Sequence, residues 1–226
     1  MMKAGIDQQA LITQFAEASA KGTAQLRKTV SDATLAALQG RELSLKNIRS
    51  VLKSVTQAAS AGAGKNVSAG LDIESLLDKA VAGMDDALVK AVEANRMALQ
   101  QFVNQGADLR EKHLKKALAD LDQMEDTFIG AVKKATEAAS GQVASQWAPV
   151  LEKMNAGGTL SGAKAATAAE QFTAQMQTAL RDSRSAGLRA AQTLAESYTA
   201  LVSGVLIGMS EALQQGSAVP QAAKKK

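Results

Sequence analysis

Residues 72–103 read DIESLLDKAVAGMDDALVKAVEANRMALQQFV, and large apolar side chains recur along them at intervals of eleven. Eleven residues make three turns at about 3.67 residues per turn, close to the relaxed α-helix, so such a stripe stays on one side of a helix. The same phase continues to residue 143, and Arg110 is the one interruption. The two neighbouring series are Leu77, Leu88, Leu99, Leu121, Val132 and Val143, and Val81, Val92, Val103 and Leu114.

This phase predicts one very long helix from about residue 72 to Pro149. At 1.5 Å per residue it would be roughly 115 Å long, far beyond the usual length in globular domains. The expected fold is all-α: an elongated helical bundle, with coiled-coil-like seams of eleven-residue period, that forms one elongated domain. Its parts are an N-terminal helical hairpin (1–64), the long central helix (65–155), a C-terminal helix (156–215) and a disordered basic tail (216–226).

Local signals mark the ends of these helices. Asp7, Ser44 and either Ser68 or Asp72 have side chains suited to N-caps. Glycines predict breaks near residue 40, over 62–70 and at 157–158, and the sequence AGAG at 61–64 is expected to be a flexible loop.

Composition excludes several classes of function. The chain has no cysteine, which excludes disulfides, Cys-ligated zinc and thiol catalysis, and only 3% of its residues are aromatic. Neither a signal peptide nor a run of about 20 apolar residues is present, so no transmembrane segment is expected. We therefore expect a cytoplasmic protein, either free or peripheral on granules or a membrane.

Each candidate site for catalysis or for binding a metal or phosphate is explained more simply as ordinary helix or surface structure. The stretch 62–65, GAGK, lacks the spacing and the preceding strand of a phosphate-binding loop. His113 falls on the predicted seam and is expected to pack there. Mixed-sign neighbours predict a solvated surface for two acidic clusters, so we expect no enzyme activity, metal or cofactor. The clusters are Asp85 and Asp86, and Asp120, Asp122, Glu125 and Asp126.

The strongest functional candidate is the uncharged run 197–210, SYTALVSGVLIGMS. Its fourteen residues would span only about 21 Å as a helix, too short to cross a bilayer but sufficient to lie in an interface. The alternative is that the run is the most buried seam of the bundle. The proposed surface-binding or self-association residues are Tyr198, Leu201, Val202, Val205, Leu206 and Met209.

The basic tail ends in Lys224, Lys225 and Lys226. Three lysines release few counterions, and no base-reading motif accompanies them, so we expect no specific nucleic-acid partner. A solubilising tail is the simplest interpretation, and contact with an anionic surface is the alternative.

The whole pattern resembles phasins, the small proteins that coat bacterial polyhydroxyalkanoate granules. The shared features are Ala-rich amphipathic helices, few aromatics, no cysteine and a lysine-alanine tail such as residues 222–226, AAKKK. This resemblance implies a non-catalytic protein that coats a hydrophobic polymer or lipid surface and associates with itself as a homo-oligomer. The competing hypothesis is a self-assembling helical scaffold or filament, in which the same stripes pair with copies of the chain.

Overall fold

The computed structural model describes residues 7–39, 44–104, 112–139 and 141–182, and all regular structure within these ranges is helical. The prediction of an all-α fold is thus confirmed for this part of the chain. A short 3₁₀ turn, Val67–Ala69, separates the helix that ends at Gly64 from the helix that begins at Ile73. The helices are α1 (Gln8–Lys21), α2 (Thr23–Leu38), α3 (Leu45–Gly64), α4 (Ile73–Asn104), α5 (Lys112–Asp122), α6 (Met124–Thr136), α7 (Gly141–Gly157) and α8 (Leu160–Asp182).

The single very long helix expected over 65–155 is not found, because this segment is divided among α4, α5, α6 and α7. A turn at Gln123 separates α5 from α6, and residues 137–139 separate α6 from α7. The chain also reverses within the segment, since α7 packs against α4 and its Lys153 bridges to Glu74 at 3.0 Å. No straight helix could bring these two residues together.

The eleven-residue stripe nevertheless identifies the core. Each helix turns its part of the stripe inward, and six members are at most 7% exposed: Leu77, Leu88, Leu99, Leu121, Val132 and Val143. Val81 and Val92 of the second series are also buried, whereas the side chains of Val103 and Leu114 lie outside what the structure describes. Periodicity therefore predicted which face is buried, although it did not predict where the chain turns.

Two further helix ends differ from expectation. Gly22, with φ of 120°, divides the N-terminal segment into α1 and α2, so residues 7–64 form three helices where a two-helix hairpin was predicted. Pro149 lies inside α7, which continues to Gly157. The proline costs about 3 kcal/mol in a helix interior, but Trp147, Val150 and Met154 on either side of it are buried and offset that cost.

The capping predictions are confirmed. Backbone N–H groups three residues into each helix donate to the side chains of Asp7 (3.0 Å), Ser44 (3.4 Å) and Asp72 (3.1 Å). Helix ends also fall where breaks were expected: α2 ends at Leu38, and α7 gives way to α8 at Gly158 and Thr159. Residues 61–64, however, are helical and belong to α3 instead of a loop.

Two glycines allow helices to approach closely. A β-carbon at Gly62 would lie 3.0 Å from Phe15 Cβ, where α3 crosses α1. A β-carbon at Gly83 would overlap the Arg27 carbonyl oxygen, where α4 crosses α2. The two helices run antiparallel, since Val30 of α2 lies beside Gly83, whereas Arg27, one turn earlier, pairs with Asp86, about one turn later in α4.

Candidate functional site

The residues predicted to bind a surface lie outside the described part of the chain. They are Tyr198, Leu201, Val202, Val205, Leu206 and Met209 of the uncharged run, and Lys224, Lys225 and Lys226 of the tail. Their role stays a prediction. His113 belongs to α5, and the GAGK stretch begins in the last turns of α3.

The apolar faces of the described helices pack on one another. Among the described side chains, only Met97 at 55% and Leu160 at 62% are large hydrophobics with high exposure. The helical stripes are therefore satisfied within one chain, as a bundle core. None of the described helices combines the length and apolar character needed to cross a bilayer.

An open groove with a volume of about 720 Å³ lies between α2, α4 and α8, next to the exposed Leu160. Apolar contacts come from Ala24, Val89, Leu160 and Ala163, and hydroxyl groups from Ser31 and Thr167. Basic side chains outnumber acidic ones four to two around it. The basic residues are Arg27, Lys28, Lys90 and Lys164, and the acidic residues are Asp32 and Asp86.

One of these cations is already engaged. Arg27 donates two hydrogen bonds to Asp86, from Nε at 2.6 Å and from Nη2 at 2.7 Å. The hydrogen bonds, and then the charge of Asp86, raise the pKa of Arg27 above its ordinary value. Asp86 thus pairs across the helices, and no ion pair joins it to Lys90, four residues further along α4.

The other three basic residues carry free charge into the groove. No ion pair joins Lys28, Lys90 or Lys164 to any other residue in the described ranges. Lys164 does influence Glu93 of α4, whose pKa lies below its ordinary value because Arg96 donates hydrogen bonds to it and because the charges of Arg96 and Lys164 are near. The lining of the groove thus combines apolar side chains with three lysines that have no ion pair, and Asp32 is the exposed acid among them.

The first turn of α8 is held by two carboxylates from other helices. Asp85 of α4 accepts from the backbone N–H of Leu160 at 2.8 Å and of Ser161 at 2.9 Å. Glu125 of α6 accepts from the N–H of Thr159, also at 2.8 Å. These bonds satisfy N–H groups that have no partner within the helix and place negative charge at its positive end.

The prediction of a solvated surface was therefore wrong for Asp85, which is only 8% exposed. A signal was present in the sequence, because Asp85 lies four residues after Val81 and three before Leu88, on the buried face. Nothing local, however, links Asp85 to a helix that begins seventy-five residues later. Asp122 and Asp126 are exposed as expected, and Asp120 pairs with Lys116 at 2.7 Å.

A second groove of about 580 Å³ lies between α3, α6 and α7. Its lining includes Ser60, whose hydroxyl accepts a hydrogen bond from the buried Trp147 indole at 3.0 Å. No charged side chain is among the residues that line it, which are Gln57, Ser60, Ala61, Gly64, Val67, Ala135, Ala138, Ala139 and Val143. This groove therefore differs from the first in lacking a charged rim.

Comparison with known proteins assigns the chain to a family. Residues 1–215 match the family described as "Family of unknown function (DUF6781)", and the chain belongs to that family. No curated protein and no solved structure matches it. The family match extends over the whole bundle and the uncharged run.

Proposed function

We propose that this member of the family is a non-catalytic helical protein that coats a hydrophobic surface, such as a polyhydroxyalkanoate granule or a lipid interface. The observation that carries the proposal is the burial of the helical stripes inside the bundle, which leaves Met97 and Leu160 as its large exposed hydrophobics among the described residues. The uncharged run 197–210 is then the apolar segment available for binding. In this arrangement the bundle faces the cytoplasm and the run faces the surface.

The composition of the run supports this role energetically. Leu201, Val202, Val205 and Leu206 stand at i, i+1, i+4 and i+5, which gives four adjacent large side chains if the run is helical. Burying them would contribute on the order of 6–10 kcal/mol before the cost of association. Such a segment lies in an interface, and the lysines at 224–226 add attraction wherever that interface is anionic.

A self-assembling scaffold is the second candidate. Gly204 and Gly208 form a pair of small residues four apart, a spacing that allows two helices to approach closely. The same run would then bury its side chains against a copy of itself and produce a homo-oligomer. In the surface-coating function the run is covered by a polymer or lipid surface, whereas in the scaffold it is covered by a copy of the chain.

One pair of variants separates these functions. Val202→Asp with Val205→Asp places two charges on the apolar face of the run, and Ser203→Asp with Ser210→Asp is the control, because it adds the same charge away from that face. We expect the first variant to stay helical and to lose co-flotation with phospholipid vesicles or polyhydroxybutyrate particles, while the control keeps it. Circular dichroism, flotation and light scattering give the three measurements.

The other outcomes are equally informative. A helical variant that changes from oligomer to monomer would favour the scaffold. Loss of helicity would mean that the run is part of the bundle core. Unchanged flotation and oligomeric state would refute the assignment of these residues.

A further inference from the structure

We infer that residues 197–210 occupy the groove between α2, α4 and α8 of their own bundle whenever no hydrophobic surface is present. The lining of the groove and the length of the chain support this docking. Only its consequence for surface binding rests on the proposed function.

The groove offers the apolar contacts that such a segment needs. Val89 and Ala163 line it, and Leu160 stands beside it with most of its side chain exposed. The lining residues of α8 extend from Leu160 to Thr167, about 11 Å along a helix axis. As a helix, the part of the run from Leu201 to Met209 would span about 12 Å and match the length of the groove, while Tyr198 would lie about one turn beyond it.

The charges are complementary as well. Acidic residues, Glu196 and Glu211, flank the uncharged run on both sides. The groove presents Lys28, Lys90 and Lys164, none of which is ion-paired to another described residue, and Asp32 is the one acid in its lining that is likewise unpaired within the described ranges. An apolar segment with acidic ends therefore fits a groove of apolar side chains in which unpaired lysines outnumber the unpaired acid, and a segment with basic ends would be repelled. The second groove lacks charged lining residues and offers no partner for these acids.

The chain is long enough to reach the groove of the same molecule. α8 runs alongside α4 in the same direction, since its start bonds to Asp85 and Gln175 donates to Gln100 at 3.4 Å. Asp182, the last described residue, is therefore about 27 Å along α8 from the level of Lys164. Fourteen residues, 183–196, join Asp182 to the start of the run, and they can extend to about 46 Å.

This tether favours the chain's own run over that of a second copy. A short linker holds the segment at an effective concentration in the millimolar range, above the concentration of other chains in a dilute solution. In water, docking covers the run and Leu160 together. A hydrophobic surface competes for the same side chains, so the run exchanges between the groove and the surface.

Cross-linking tests the docking directly, because the chain has no cysteine and an introduced pair is the only reactive one. The test pair is Ala163→Cys with Val205→Cys, and the control pair is Gln14→Cys with Val205→Cys, since Gln14 is exposed on α1 away from the groove. With a short bis-maleimide and dilute full-length protein, we expect the test pair to cross-link within one chain at least about tenfold faster than the control. Equal rates would overturn the inference, and dominant cross-linked dimers would show that a second copy occupies the groove.

Charge reversal tests the complementarity. Lys28→Glu, Lys90→Glu and Lys164→Glu together should reduce the cross-linking rate severalfold at low salt, and adding Glu196→Lys and Glu211→Lys should restore it. Reversal of three exposed lysines on other helices, Lys46, Lys53 and Lys133, is the control and should have no effect. A reduction as large in the control, or no restoration by the swapped acids, would refute the charge argument.

Vesicle flotation of the same variants distinguishes the two proposals. Reversal of the three groove lysines should free the run and increase binding to zwitterionic vesicles severalfold. Selective cross-linking without any flotation would leave the docking intact and reject the surface-coating function. Flotation with unselective cross-linking would reject the docking and leave the function standing.

Discussion

α4 and α8 lie side by side in the same direction, yet they are held in place by different forces. α4 packs against α2, α3, α7 and α8 and buries large side chains such as Leu77, Met84 and Leu88 completely. α8 packs against α4, α5 and α6, and its described side chains bury mainly alanines together with Phe172.

Hydrogen bonds at the start of α8 add stability that its small buried apolar area does not provide. Asp85 and Glu125 bind three backbone N–H groups of its first turn and of the residue before it. Burial of apolar area stabilises α4 from Ile73 to Leu99, whereas α8 combines a smaller described apolar contact with hydrogen bonds at its start. We therefore expect α8 to separate from the bundle at a lower free energy than α4.

The largest expected effect comes from removing one buried side chain from each helix. Leu88→Ala should destabilise the whole bundle by about 3–5 kcal/mol, because it leaves a cavity among α4's partners. Phe172→Ala removes as much packing, but we expect the loss to fall on α8 and to leave most of α4 protected. Chemical denaturation and segment-resolved hydrogen exchange measure the two effects. If both variants lost protection equally in α4 and α8, the expectation that α8 separates at a lower free energy than α4 would be wrong.

Asp85→Ala tests the polar attachment of α8. The change leaves the N–H groups of Leu160 and Ser161 without their acceptor, which should cost about 2–4 kcal/mol and act on the start of α8. Hydrogen exchange should accelerate over α8 and change little over α1 to α3. Asp126→Ala is the matched control, since Asp126 is exposed, and its effect should stay within about 0.5 kcal/mol. Faster exchange confined to α4 would contradict the proposed role of Asp85.

The smallest expected effect concerns Glu93 of α4, which lies near Lys164 of α8. Hydrogen bonds from Arg96, and then the charges of Arg96 and Lys164, hold the pKa of Glu93 below its ordinary value, while burial opposes the shift. The resulting stability is present above the pKa of an unfolded glutamate and disappears as the pH falls through the lower folded pKa.

Glu93→Gln should therefore lower stability by no more than about 0.5 kcal/mol at neutral pH, because this i,i+3 pair is well exposed. Urea denaturation at pH 7 and at pH 3 measures the difference between the variant and the parent chain. The difference should shrink at the acidic pH, and a difference that grows there would reverse the assigned sign.

Some features of individual residues followed from the local sequence, and others did not. Asp7 and Ser44 were identified as caps, and Asp72 was one of two alternatives with Ser68, because a cap accepts from an N–H group only three residues away. Pro149 was expected to end a helix, but the buried neighbours that keep it within α7 belong to a packing arrangement that the local sequence does not encode. Asp85 was assigned to the solvent even though its position in the repeat pointed inward.

By itself, the sequence determined that the described chain is helical, where α1, α3 and α4 begin, and which face of the helices between residues 77 and 143 is buried. These properties depend on capping and on periodicity, which act within a few turns of the chain. Only the tertiary structure decided that residues 65–155 fold back as four helices, that α8 begins against Asp85 and Glu125, and that a basic groove forms beside Leu160. The physical reason is that a long straight helix would leave its apolar stripe in water, whereas reversal buries that stripe against helices distant in sequence, and this gain depends on all of the partners together.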